Sequence, residues 1–134
     1  MSSHHIHSVY STGEAFTSEL NGHPITTDTA ATDKGPRPKA LMLVALSGCT
    51  GIDVVSVLNK MRVSFSDLSI DVQGDLTDED AATYHTVKVT YKIKVAESDK
   101  AKVEKAVELS QEKYCGVAAM FRQFAKLEKE IIYL

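Results

Sequence analysis

Cysteine is scarce in this chain: only Cys49 and Cys115 occur among 134 residues. Small secreted domains that depend on disulfides carry more cysteines, so that class of protein is excluded. The chain also lacks a basic excess, because 15 Lys and Arg residues are set against 18 Asp and Glu residues. Without a positive field to hold a phosphate backbone, nucleic acid is not an expected partner.

The N-terminus lacks the charged-then-apolar pattern of a signal peptide. One long apolar run, at residues 40–58, raises the question of a membrane span. It contains Ser47, Thr50 and Asp53, and a charged side chain is costly in lipid. We therefore expect a central helix of a soluble core and no membrane contact. A cytoplasmic protein is the simplest expectation, and cytoplasmic thiols stay reduced unless they perform redox work.

Length and composition predict one domain over residues 1–134 with its own core, since 43% of the residues are hydrophobic. Residues 68–73 and 87–95 alternate apolar and polar side chains, which predicts an antiparallel hairpin. The predicted order is β-β-β-α-β-β-α-α-β, an α+β protein. The remaining predicted elements are three short strands within residues 5–25, a helix from Pro38 or Lys39 to Met61, a helix capped by Ser98, a helix over 116–127 and a strand over 130–134.

Cys49 lies among small residues, with Gly48 before it and Thr50 and Gly51 after it. Small neighbours leave room for a substrate or a partner chain to approach the sulfur. The same residues also allow helices to pack closely, so a buried structural cysteine remains an equal alternative.

Cys115 adjoins a predicted helix start, beside Gly116. Free backbone N–H groups at that point would favour the thiolate, which is the reactive form of cysteine. If the two sulfurs meet, one could attack a substrate and the other could form a disulfide with it. The sequence leaves that distance open, and a bridge requires Cα atoms within about 7 Å.

Arg37 is a third candidate, because Pro36 and Pro38 restrict its backbone on both sides. A guanidinium on a stiff mount suits the stabilisation of a thiolate or a peroxide oxygen. The alternative is a solvated loop arginine. Asp53 shares a helix face with Cys49 but receives no catalytic role. The histidines show no metal-ligand spacing with the cysteines, so we expect neither a metal nor another cofactor.

Two segments resemble the OsmC/Ohr proteins, the osmotically induced and organic-hydroperoxide-resistance thiol peroxidases. The first is the helix Pro38–Met61, which combines a proline, an apolar stretch, the Gly48-Cys49 pair and an Asp-Val-Val tract. The second is Ser110–Val117, where the family places its second cysteine, here Cys115. The predicted order of elements also fits, so the resemblance covers most of the chain.

This resemblance implies an OsmC/Ohr α+β fold with antiparallel sheets around long central helices in an intertwined homodimer. It implies that Cys49 attacks the O–O bond of an organic hydroperoxide and becomes a sulfenic acid. Cys115 would then resolve it as an intrasubunit disulfide. A dithiol reductant, lipoyl-linked in the better-known members, would restore both thiols, in agreement with ordinary cysteine oxidation chemistry.

The chain departs from the family pattern at two positions. Family peroxidases use an arginine from the N-terminal sheet, oriented by a glutamate at the start of the central helix. Here no arginine precedes Arg37, and Pro38-Lys39-Ala40 contains no glutamate. Arg37 is expected to supply the guanidinium, with proline rigidity in place of the carboxylate. The alternative is a non-catalytic OsmC-like module that binds a small apolar or thiol ligand at the dimer cleft.

Overall fold

The computed structural model describes residues 2–134, and their elements follow the predicted α+β order. Short 3₁₀ and π-helical turns, Glu97–Asp99 and Ser110–Tyr114, flank the second helix. The strands are β1 (His7–Tyr10), β2 (Phe16–Leu20), β3 (His23–Thr27), β4 (Phe65–Leu76), β5 (Tyr84–Val95) and β6 (Lys126–Tyr133), and the helices are α1 (Leu41–Lys60), α2 (Lys100–Leu109) and α3 (Gly116–Phe121).

The contacts divide the chain into two compact units, one that ends at Met42 and one that spans Leu43–Leu134. The first unit contains an antiparallel sheet in the order β1-β2-β3. Asn21 and Gly22 join β2 to β3 with positive φ angles of 50° and 78°, as a tight hairpin turn requires. The three predicted short strands are thus confirmed. The prediction of a single domain stays a prediction.

The loop after β3 is organised around the buried Asp28 carboxylate. That carboxylate accepts hydrogen bonds from the Thr32 hydroxyl and from the backbone N–H groups of Thr29 and Lys34. These bonds, with that from Thr32 first, hold the pKa of Asp28 below its ordinary value. Gly35 closes the loop, because a Cβ there would lie 2.0 Å from the Thr26 carbonyl oxygen. The loop that carries Arg37 is therefore stabilised by hydrogen bonds between its own residues and by the close approach of Gly35 to β3.

The second unit contains a mixed sheet in the order β4-β5-β6. β4 and β5 form the predicted antiparallel hairpin, paired from Phe65 with Val95 to Leu76 with Tyr84. The prediction of antiparallel sheets is wrong for β6, which runs parallel to β5. The reason is the helical crossover between these strands, which returns the chain in the same direction.

The core of this unit joins one stripe of α1 to one face of β5. On α1 the buried residues recur every four positions, whereas on β5 they alternate, as the two periodicities require. These residues, together with α2 and α3 side chains, form one apolar cluster. The buried positions of α1 and β5 include Leu46, Thr50, Val54, Leu58, Val87, Val89, Tyr91 and Ile93.

Two predicted helix boundaries are wrong. α3 ends at Phe121 rather than at residue 127, and Lys126 already begins β6. Pairing of Leu127 with Val87 in the sheet overrides the apolar spacing that suggested a longer helix. Ser98 does not cap α2, because it lies within the 3₁₀ turn and Asp99 precedes the first helical residue.

Candidate functional site

The two cysteines lie together in the second unit, although they are far apart in the sequence. Cys49 is near the middle of α1, and Cys115 lies between the π-helical turn and α3. Their sulfurs and a carboxylate oxygen of Asp53 all lie within 4.8 Å of one another. Asp53 reaches this cluster because it is one helical turn beyond Cys49 on the same face of α1. The fold thus supplies the proximity that the sequence left open.

Cys115 is the inner member of the pair, with only 3% of its surface exposed. Its sulfur caps α3 by accepting a hydrogen bond from the Ala118 N–H at 3.3 Å. Burial, followed by the interaction with the Cys49 thiol, raises the pKa of Cys115 from 9.0 to about 11. The backbone N–H groups of Ala118 and Val117 favour the thiolate, as predicted, but burial outweighs them and the pKa rises overall.

Cys49 is the outer member, and its side chain is partly exposed. The glycines beside it have different surroundings. A Cβ at Gly48 would meet no atom within 4 Å, whereas one at Gly51 would lie 3.1 Å from the Ile70 side chain. Close packing against Ile70 therefore accounts for the glycine at position 51. At position 48 the space beside the helix is open.

A chain of hydrogen bonds connects buried side chains to this cluster. The Gln111 amide donates to the Tyr91 hydroxyl at 2.7 Å, and Ser110 donates to Asp53 Oδ2 at 3.0 Å. Thr50 joins the two pairs, at 2.6 Å from the Tyr91 oxygen and 2.7 Å from the Ser110 oxygen. Each hydroxyl has one proton, so Tyr91 must donate to Thr50, and Thr50 to Ser110. Every donor in the chain points toward the Asp53 carboxylate.

The π-helical turn positions two members of this chain. The Cys115 N–H donates to the Ser110 carbonyl at 2.8 Å, which closes the wide turn, and both Ser110 and Gln111 are buried. The guanidinium of Arg122 also bonds the Gln111 carbonyl. Burial is the main cause that raises the pKa of the Tyr91 hydroxyl, so this hydroxyl stays neutral in the network. Single π turns inside helices are frequent at functional sites.

No pattern in the sequence predicted this network. Thr50 occupies a position in the buried stripe of α1, between Leu46 and Val54. A hydroxyl at such a position requires a buried hydrogen-bond partner. Thr50 was therefore the one indication in the sequence that a polar network lies within the core. The partners themselves, Tyr91 and Ser110, come from other elements and could not be identified from spacing.

Arg37 lies in the first unit, where it has two partners. Its guanidinium forms an ion pair with Asp33, four residues earlier, and also reaches the Asp28 carbonyl at 3.4 Å. Asp28 is held by the loop hydrogen bonds described above. The Asp33 carboxylate thus orients the guanidinium. The sequence had suggested that the flanking prolines alone would hold it in place.

The cysteine cluster could serve two kinds of chemistry. Two thiolates and a carboxylate are ligand types found in zinc sites, and they would supply three of the four ligands of a tetrahedral centre. Two thiols whose sulfurs lie within 4.8 Å of each other are also candidates for a disulfide bond of about 2.05 Å. The spacing of these residues in the sequence indicated no metal-binding set.

Comparison with known proteins gives the family. The OsmC-like protein family model matches residues 31–129. Protein YhfA of Escherichia coli K12 is 34% identical over 103 residues, which cover 77% of each chain. A crystal structure of a hypothetical protein from Aquifex aeolicus is 29% identical, with a TM-score of 0.89 over 100% of this chain and 98% of that one.

A third similarity concerns the fold alone. The organic hydroperoxide resistance protein OhrB of Bacillus subtilis is 17% identical, with a TM-score of 0.63 over 95% of this chain and 97% of that one. The family match and the similarity to YhfA, by contrast, cover about three quarters of the sequence. On these grounds the chain belongs to the OsmC-like protein family.

Proposed function

We propose that this protein is a cysteine-based peroxidase that reduces organic hydroperoxides. The observation that carries this proposal is the Cys49–Cys115 pair, whose sulfurs lie within 4.8 Å with Cys49 partly exposed and Cys115 buried. In the first step the Cys49 thiol loses its proton, the thiolate sulfur attacks the terminal oxygen of the hydroperoxide, and the O–O bond breaks. The departing alkoxide takes up the proton that the thiol released and leaves as an alcohol. Cys49 becomes a sulfenic acid. In the second step the Cys115 sulfur displaces the hydroxyl as water and forms the disulfide.

The different exposure of the two sulfurs supports their different roles. An attacking thiol must meet the hydroperoxide, whereas a resolving thiol needs to meet only the sulfenic acid beside it. Structural neighbours are named organic hydroperoxide resistance proteins, which supports this substrate class. A dithiol reductant, of the lipoyl type, would regenerate both thiols by exchange.

Arg37 is proposed as the guanidinium that stabilises the Cys49 thiolate and the peroxide oxygens. Its ion pair with Asp33 supports this role, because a carboxylate partner restricts the guanidinium to one orientation. Asp33 would thereby replace the glutamate that the family places at the start of its central helix.

The active protein is proposed to be a cytoplasmic homodimer, and residues 1–134 to act as one domain. α1 is long and apolar enough to cross a membrane by length and composition, and only 22% of its most apolar window is buried in one chain. Val44 and Ile52 are 61% and 73% exposed on this helix. A second copy of the chain would cover that apolar surface.

A second candidate function is a non-catalytic OsmC-like module that binds a small apolar or thiol ligand at the dimer cleft. The departure from the family at the start of the central helix favours it, because Lys39-Ala40 offers no glutamate. The closeness of the two sulfurs favours the peroxidase instead.

The decisive experiment mixes the reduced protein with cumene hydroperoxide and follows peroxide loss and free thiols. Wild type is expected to lose two thiols per peroxide and to form an internal disulfide. Cys115→Ser should consume one equivalent and accumulate a sulfenic acid that dimedone traps, while Cys49→Ser should be inert. Peroxide consumption by Cys49→Ser at the wild-type rate would overturn the proposal.

A further inference from the structure

Asp53 brings a carboxylate to the two thiols that are proposed to form the disulfide. One of its oxygens lies within 4.8 Å of both sulfurs, and its Oδ2 accepts the hydrogen bond from Ser110. The hydroxyl protons of Thr50 and Ser110 are both used within the hydrogen-bond chain that ends at this carboxylate. These hydroxyls therefore hold Asp53 in place and have no further proton to donate to a sulfur.

We propose that Asp53 is the proton acceptor for Cys115 when the disulfide forms, and that Ser110 is a positioning residue that holds the carboxylate toward the sulfurs. This inference rests on the disulfide step of the proposed function.

The chemistry of Cys115 explains why an acceptor is needed. With a pKa of about 11, roughly one Cys115 in ten thousand is a thiolate at neutral pH. Disulfide formation proceeds through a thiolate, so an unassisted reaction would be slow. A carboxylate beside the sulfur can remove the proton as the sulfur attacks, which makes the thiol competent without prior ionisation.

The proposed step is balanced without any external reagent. The S–H bond of Cys115 breaks and its proton passes to Asp53, while the Cys115 sulfur bonds to the Cys49 sulfur. The S–O bond of the sulfenic acid breaks, and the departing hydroxide takes the proton from Asp53 and leaves as water. The Cys115 sulfur is oxidised and the Cys49 sulfur is reduced by the same amount.

The groups around Asp53 define the pH behaviour to expect. Cys49 faces it from α1, Tyr91 from β5 through the hydrogen-bond chain, and Cys115 from the segment before α3. Lys60 and Tyr114 line a cavity of about 260 Å³ together with Asp53. The raised pKa of Tyr91 keeps that hydroxyl neutral. The disulfide step in wild type should therefore change little with pH between about 6 and 9, because the carboxylate replaces hydroxide as the base.

The test is independent of peroxide chemistry. Reduced protein is treated with the aromatic disulfide DTNB, which forms a mixed disulfide at Cys49, the more accessible of the two thiols. Attack by Cys115 then releases a second coloured thiolate, and the rate of this release is measured as a function of pH. In Asp53→Asn, which can still accept the bond from Ser110, the second release should slow by about a hundredfold at neutral pH. The rate of this second release in Asp53→Asn should also rise about tenfold for each unit of increasing pH, since hydroxide must now remove the proton.

Three further variants separate proton transfer from a structural effect. Asp53→Glu should restore part of the rate and the flat pH profile, and Ser110→Ala should lower the rate while the profile stays flat. The exposed-loop variant Asp78→Asn should match wild type. If Asp53→Asn releases the second thiolate at the wild-type rate with a flat profile, the inference is wrong and the peroxidase proposal stands. If wild type completes both releases but consumes no hydroperoxide, the peroxidase proposal fails and Asp53 keeps its role in disulfide formation.

Discussion

Ser110 donates a hydrogen bond of 3.0 Å to the carboxylate of Asp53, although 57 residues separate them in the sequence. The bond joins the π-helical turn to the central helix beside both cysteines. It also ends a chain of buried donors whose directions are all determined. The site thus contains a hydrogen-bonded polar network in addition to the two thiols, and each polar residue can be tested by its own substitution.

Removal of the Tyr91 hydroxyl should destabilise the protein. Tyr91→Phe leaves the buried Gln111 N–H without its acceptor and Thr50 without its donor. An unsatisfied buried group costs about 1–3 kcal/mol, so the free energy of unfolding should fall by that amount in urea titrations. Tyr10→Phe is the matched control, because the Tyr10 hydroxyl bonds Gly13 at an exposed position. Equal stabilities of Tyr91→Phe and wild type would contradict the network.

Titration of Cys115 should make stability depend on alkaline pH. Its pKa is raised from 9.0 to about 11 by burial and by Cys49, so the folded protein binds this proton more tightly than the unfolded chain. The resulting stability is fully present below pH 9 and is lost as the pH rises toward 11.

The comparison for this prediction is Cys115→Ser, whose hydroxyl can still cap α3 but does not titrate there. Under reducing conditions, the wild-type unfolding midpoint should fall more steeply than that of Cys115→Ser between about pH 9 and pH 11. Parallel curves for the two proteins would show that Cys115 does not carry the shifted pKa.

The exposed face of α1 should determine the oligomeric state. Ile52 is 73% exposed in one chain, so Ile52→Lys should leave the monomer folded but place a charge within the proposed dimer contact. Burial of an unpaired charge is costly, and the dissociation constant should rise by at least about a hundredfold. Light scattering after size exclusion measures this change, with Ile52→Leu as the apolar control. A dimer that persists in Ile52→Lys at low concentration would exclude this face.

Arg37 and Asp33 should act together on the first chemical step. Arg37→Gln is expected to slow sulfenic acid formation with cumene hydroperoxide by about a hundredfold, because positive charge near the peroxide is lost. Asp33→Asn should slow the same step by about tenfold, since the guanidinium loses its orienting partner. Stopped-flow kinetics with Arg62→Gln, an exposed arginine, as the control will measure both effects. Wild-type rates in Arg37→Gln would remove this residue from the site.

Local patterns predicted most of the fold because they follow directly from backbone periodicity. The alternation of Val87, Val89, Tyr91 and Ile93 matches their burial on β5, and the predicted helix to Met61 ends one residue from its observed end. The failures occurred where partners distant in sequence decide the structure. Residues 122–127 have apolar helical spacing, but pairing of β6 with β5 makes Lys126 and Leu127 a strand.

The order of elements, the family resemblance and the choice of the two cysteines as reactive candidates all followed from local sequence patterns. The grouping of five polar side chains in one site became apparent only in the folded protein; these are Asp53, Thr50, Tyr91, Ser110 and Gln111. It also decided that Cys115 is the buried thiol with the raised pKa. Periodicity shows which face of one element is buried, whereas hydrogen bonds and burial depend on the side chains that other elements bring to that face.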